Sequence, residues 1–259
     1  MTETDAGAET ETPLDIAPDL SDRTALVTGS ATGLGSGLLL ALADAGADVA
    51  VHYRTSDEAA ADVAERARER DAGATVVQGD VTDPESVDAL FDAAEAALGT
   101  VDVLVNNVGT FAPAHWEEIG WDRWNLVLET NLNGTAICSQ RALDGMREQG
   151  WGRIVNVGYA SSEKGLVHPK NFPYFVAKTG VLMFTRMLAA DTQDDGITVN
   201  AISPYVVENS DEFPDEAPRG RWARDEDLAA PMLFFCSDAA DYVSGENVEV
   251  DGGWLPEDV

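Results

Sequence analysis

Positive charge is scarce in this chain. Sixteen Lys and Arg stand against 47 Asp and Glu in 259 residues, a formal net charge of −31. Lysine occurs only at Lys164, Lys170 and Lys178. Such a surface repels nucleic acid and anionic membranes, so no nucleic-acid partner is expected. Its like charges also repel one another in dilute salt, which leads us to expect a cytoplasm of molar salt, as in a halophilic microbe. No apolar run approaches the length that spans a membrane, and the start lacks a basic stretch followed by an apolar one. A soluble, cytoplasmic protein without a membrane partner is the expectation. Cys138 and Cys236 each sit in apolar, helical-looking context and read as core thiols, not as a disulfide. His52, His115 and His168 are scattered, so no metal constellation is visible.

What is present is an alternation. Residues 1–22, rich in Thr, Glu, Asp, Ala and Pro, offer little to bury and read as a disordered acidic tail. From residue 23 to 259 short apolar runs alternate with amphipathic stretches, as expected of a single α/β domain. Strands are expected over residues 24–28, 48–53, 75–78, 101–105, 153–157, 197–202 and 247–250, the last short and buried. Helices are expected over the segments between, including one long helix from Trp121 to Gln149 and a last one from Asp225 to Ser237. This order gives a parallel, doubly wound Rossmann-type sheet of seven strands, with helices on both faces and ligands at the carboxyl ends of the strands.

The first strand runs into Gly29-Ser-Ala-Thr32-Gly33-Leu34-Gly35 and then a helix. Strand, glycine turn and helix is the setting in which glycines let a pyrophosphate approach the backbone and a helix N-terminus meet it. An NAD site usually ends its second strand on an acid that holds the ribose hydroxyls. Here that end reads His52-Tyr53-Arg54-Thr55-Ser56. A guanidinium suits a 2′-phosphate, so NADP(H) is favoured over NAD(H). Asp80 and the Asn106–Gly109 turn fall at the ends of the third and fourth strands.

Tyr174 and Lys178 stand four residues apart, one turn along a single face of a helix. A phenol titrates near 10, and lowering it by about three units takes roughly 4 kcal/mol of preference for the anion. One cation about 4 Å away supplies about that much at an effective dielectric near 20. Tyr174 is therefore expected to exchange protons near neutral pH, with Lys178 as its activator. With five Tyr and three Lys in the chain, this spacing arises by chance only about 0.06 times.

From residue 23 to about 254 the chain resembles the short-chain dehydrogenases/reductases, and within them the 3-oxoacyl-ACP-reductase-like members. Thr28-Gly29-x3-Gly33-Leu34-Gly35, Gly79-Asp80-Val81, Asn106-Asn107-Val108-Gly109, Asn131, Tyr174-x3-Lys178, Tyr242-Val-Ser-Gly245 and Val250-Asp-Gly-Gly253 carry the resemblance, in order. It implies an NAD(P)-dependent oxidoreductase acting on a small carbonyl or alcohol. Its cofactor would be held along Gly29, Thr32, Gly33 and Leu34, then Tyr53, Arg54 and Thr55, then Asp80 and Val81. Asn107, Val108, Gly109, Tyr174, Lys178, Pro204 and Val207 complete that set. It implies that Asn131 holds a water beside Lys178. It also implies a carbonyl-orienting hydroxyl after the fifth strand. In place of the family's Ser there stands Tyr159, so either Ser161 or Ser162 reaches the site, Tyr159 donates through its own hydroxyl, or the role is vacant. Tyr205, where relatives commonly carry Gly, would line the substrate pocket. Packing of the Tyr174 helix against a symmetry mate implies a homodimer or homotetramer. Residues 208–221 read as a substrate lid. The rival readings are an NAD-dependent alcohol or sugar dehydrogenase and an NADP(H)-binding sensor with little turnover.

Overall fold

A computed structural model describes residues 16–160, 162–164, 168–210, 213, 214 and 216–254. Seven strands form one parallel sheet in the order β3-β2-β1-β4-β5-β6-β7. They are β1 Thr24–Val27, β2 Asp48–Tyr53, β3 Ala74–Gln78, β4 Val101–Asn106, β5 Gly152–Val157, β6 Ile197–Pro204 and β7 Asn247–Val250. The helices are α1 Gly33–Asp44, α2 Asp57–Arg68, α3 Pro84–Leu98, α4 Trp121–Leu128, α5 Gly134–Gln149, α6 Phe172–Asp191 and α7 Asp225–Cys236.

The strands between the edges read as near-continuous apolar runs because both of their faces are covered; β1, β4, β5 and β6 are buried along their whole length. On one face, α1, α2 and α7 bring Leu38, Leu42, Val63, Leu228 and Phe235 onto the sheet. On the other, α3, α5 and α6 bring Leu90, Phe91, Leu143, Met146 and Leu188. Each buried side chain of this size contributes roughly 1.5–3 kcal/mol relative to an exposed one.

Three expectations are corrected. The tail was expected to run to residue 22. Residues 1–15 lie outside the described residues, but Leu20 is 1% exposed, packs in the α1–α7 core and donates its backbone N–H to Ala45 O at 2.9 Å. Strand β7 was expected to be buried. It pairs only with β6 at the sheet edge, and Val248 is 37% exposed, because no further strand covers that side. The expected helix 121–149 is interrupted by a π-turn at Glu129–Asn133, centred on Asn131.

Candidate active site

The strand order reverses between β1 and β4, and a cleft opens at their carboxyl ends, where a doubly wound sheet binds its ligand. The cleft has two parts. The first, about 240 Å³, is lined by Gly29, Thr32, Tyr53, Arg54, Thr55, Asp80, Val81, Val108 and Gly109. The second, about 350 Å³, is lined by Gly33, Leu34, Asn107, Gly109, Phe111, Tyr159, Tyr174, Lys178, Pro204, Tyr205 and Val207. All the residues expected to hold a dinucleotide thus lie along one groove, with Gly109 on both parts.

The glycine turn is shaped by close approach. Gly29 has φ +67°, and a Cβ there would come within 2.9 Å of Val108 Cγ2; Gly33 has φ +57°. Thr28 Oγ1 ties this turn to the end of β4 by accepting the backbone N–H groups of Asn107 (2.9 Å) and Val108 (3.1 Å). The Asn107 side chain donates back to Thr28 O at 2.9 Å. The cradle fits a pyrophosphate in the way glycine turns do: backbone lies open on its cleft side and a helix N-terminus follows. At the ribose end, Arg54 is 60% exposed and its Nη1 lies 3.6 Å from Asp80 Oδ2. Asp80 in turn accepts from Thr82 N and Oγ1, and these bonds together with Arg54 hold its carboxyl below the usual range in spite of burial.

His52, which composition left as a scattered histidine, braces the turn. Gly29 N–H donates to its Nδ1 at 2.8 Å, so that nitrogen bears no proton. Nε2, 3.1 Å from Gly79 O, then carries the hydrogen and donates it. Its backbone N–H also donates to Ser30 Oγ at 3.0 Å. Burial pushes the imidazole below its ordinary value, so the ring is neutral. The signal for this role was a polar residue at a buried position in an apolar strand, which periodicity alone could not distinguish from a satisfied core histidine.

Tyr174 and Lys178 share one face of α6, as expected, and both reach the second part of the cleft. The electrostatics differ from expectation. Tyr174 lies among the rings of Phe111 (5.1 Å between centroids), Tyr159 (5.7 Å) and Phe175 (6.3 Å), and burial drives its phenol up instead of down. Lys178 is buried, donates to Val157 O at 2.7 Å, and sits 5.7 Å from the Tyr174 ring centroid. Burial pushes its ammonium down to about 8. Desolvation by aromatic carbon therefore outweighs the one cation, whose charge is already directed at a carbonyl.

Asn131 Nδ2 donates to Val127 O (2.9 Å) and to Thr110 O (3.0 Å), which accounts for the π-turn: the amide pairs a carbonyl that the helix leaves free. Its Oδ1 is buried without a partner among the described residues and faces Gly109, whose added Cβ would stand 2.7 Å from it and 3.6 Å from Lys178 Nζ. Of the candidate hydroxyls, Ser161 lies outside the described residues. Ser162 is buried with Glu163, Leu182 and Arg186, against a different face of α6 from Tyr174. Tyr159 lines the cleft, and burial pushes its phenol up to about 12. Tyr205 stands 6.4 Å from Tyr159 and stacks on Trp254 at 4.1 Å. The backbone N–H of Val207 donates to Ser210 Oγ at 3.1 Å. Phe111, which lines the cleft, and Trp254, which stacks on Tyr205, were missed, since loop and terminal positions carry no periodicity that marks such roles.

The family described as "Enoyl-(Acyl carrier protein) reductase" matches residues 29–255. The chain belongs to the short-chain dehydrogenase/reductase family and is an NAD(P)-dependent oxidoreductase. It is 34% identical to the 3-oxoacyl-[acyl-carrier-protein] reductase of Staphylococcus aureus, over 89% of this chain and 97% of that one. It is 36% identical to 3beta-hydroxysteroid dehydrogenase 1 of Eggerthella lenta, over 91% and 94%. A solved structure, gluconate 5-dehydrogenase from Burkholderia cenocepacia in complex with NADP and tartrate, superposes with a TM-score of 0.83 at 34% identity, covering 90% of this chain and 95% of that one.

Proposed function

We propose that this chain reduces a small carbonyl (or imine) substrate with NADPH, Tyr174 exchanging the proton with the substrate oxygen or nitrogen. The observation that carries the reading is the meeting of Tyr174 and Lys178 with the glycine turn in one groove. The bound nicotinamide supplies hydride. Tyr174, neutral in its aromatic surround, is a proton donor poised for an oxygen that becomes basic as hydride arrives. Lys178 holds positive charge beside it up to about pH 8. The unpartnered Asn131 Oδ1 and Lys178 Nζ, both close to Gly109, suit a shared water that refills the proton. Tyr159 stays protonated through neutral pH and takes the carbonyl-orienting role in place of a Ser.

NADP(H) preference is supported by Arg54 at the open ribose end and by the NADP complex of the gluconate 5-dehydrogenase relative. Met183 (67% exposed) and Met187 (52%) on α6 favour a homodimer or homotetramer through that helix. Steady-state kinetics over a carbonyl panel test the reading. Tyr174→Phe is expected to lower kcat by about 10²–10⁴-fold. Tyr159→Phe is expected to remove a hydrogen bond worth about 2.7–4 kcal/mol in the transition state. Arg54→Asp should raise KM for NADPH relative to NADH. Full turnover in Tyr174→Phe would overturn the reading.

A further inference from the structure

A second cavity of about 350 Å³ adjoins the Tyr174 cleft, sharing Tyr205 and Val206 as a common wall. Its other walls include Pro218, Arg219, Arg221, Trp222, Asp227 and Asp251. The shared wall is held in place. Tyr205 stacks on Trp254 at an interplanar angle of 13°, and Lys164 Nζ lies 5.7 Å from the Trp254 ring.

Two arginines and two aspartates line this cavity, yet one of the two guanidinium groups is left unpaired among the described residues. Arg221 grips Asp227 with two hydrogen bonds, at 2.5 and 2.8 Å. Lys164 holds both Glu249 at 2.7 Å and Asp251 at 2.8 Å. Arg219 makes no side-chain hydrogen bond and no ion pair among the described residues, while its stem lies against Gly252. A chain with 47 acids and 16 bases thus keeps an unpaired guanidinium on the wall of a cavity next to its candidate active site. A free guanidinium presents a planar fork of donors to a planar anion. With Asp227 and Asp251 already paired, the wall offers one free cation among the described residues and no second one for a doubly charged group, which selects a carboxylate over a phosphate.

Building on the Tyr174 reading, we propose that the substrate is an oxo acid (or the corresponding hydroxy acid) whose carboxylate is seated on Arg219 while its carbon chain crosses Tyr205. The reacting carbonyl then lies on the Tyr174 side of the shared wall and the charged end on the Arg219 side.

The test reads binding without turnover, so it can fail while the Tyr174 reading stands, and the reverse. Calorimetric titration of the chain compares 3-phenylpropionate, its neutral amide, and phenyl phosphate. The expectation is saturable binding of the carboxylate, at least about 10-fold tighter than the amide, as a charge-assisted bidentate contact allows. Arg219→Gln, at an exposed position, should bring acid and amide to within about twofold, and Arg219→Lys should restore part of the difference. Equal binding of acid and amide, no binding of either, undiminished discrimination in Arg219→Gln, or tighter binding of the phosphate would overturn the proposal.

Discussion

Two side chains at the site have charge states that burial sets, and each gives a pH dependence. His52 accepts from Gly29 N–H and donates to Gly79 O, so a second ring proton would face a donor and break the brace on the glycine turn. Its folded value lies below the ordinary 6.5 because burial disfavours the cation; the Gly79 carbonyl and Asp80 oppose this only in part. As pH falls below 6.5 the unfolded chain takes the proton first, so stability from this group is lost on the acid side. NADP(H) affinity should weaken there too, and His52→Asn, which keeps an acceptor and a donor, should flatten the trend in a Kd-against-pH titration. Lys178 follows the same sign at higher pH. With its ammonium at about 8 against an ordinary 10.5, it loses charge in the folded protein above pH 8 while the unfolded chain still holds the proton. From this group stability rises with pH between about 8 and 10.5, whereas kcat/KM should fall above pH 8 by about tenfold per unit if the ammonium is needed. A pH–rate profile flat to pH 10 would contradict that role.

The π-turn at Glu129–Asn133 is the element that joins fold to chemistry. A regular helix from Trp121 to Gln149 would pair Val127 O within its own ladder; here the carbonyl is taken by the Asn131 side chain. The widened turn also aims Asn131 Nδ2 at Thr110 O, which fastens the loop after β4 to the helix. Asn131→Ala removes both bonds and leaves buried carbonyls unpaired, at about 1–3 kcal/mol each. Urea unfolding should register this loss, and kcat should fall as well, since the side chain that presents Oδ1 beside Gly109 is gone. A variant with unchanged stability would show that the π-turn does not depend on the amide.

At the scale of the molecule, a formal charge of −31 stores self-repulsion that salt relieves. The screening length falls from about 10 Å at 0.1 M to about 3 Å at 1 M. Thermal unfolding in 0.1 and 2 M KCl should therefore give a higher Tm in the concentrated salt, by roughly 2–4 °C for each kcal/mol of repulsion removed. A Tm indifferent to KCl would sink the expectation of a saline cytoplasm. The ion pairs that do form, such as Arg141 with Asp92 and Glu95, engage scarce cations with several acids each and add little where exposed.

The order of strands and helices, the glycine turn and the Tyr174–Lys178 pair were legible in the sequence because each is written in local spacing: period, turn residues and one helical turn. Asn131 came from the family resemblance, not from spacing. The charge states of Tyr174 and Lys178 were not legible, since they depend on Phe111 after β4 and on Val157 O and Tyr159 at the end of β5, two other segments. Nor could the sequence choose among the hydroxyls after β5. Tyr159 lines the cleft, and Ser162 sits against another face of α6, only because of the path that β5 and α6 impose on the loop between them. Residue type and spacing determined which groups this chain possesses. Desolvation and hydrogen-bond partners, which exist only once distant segments pack together, decided what those groups do.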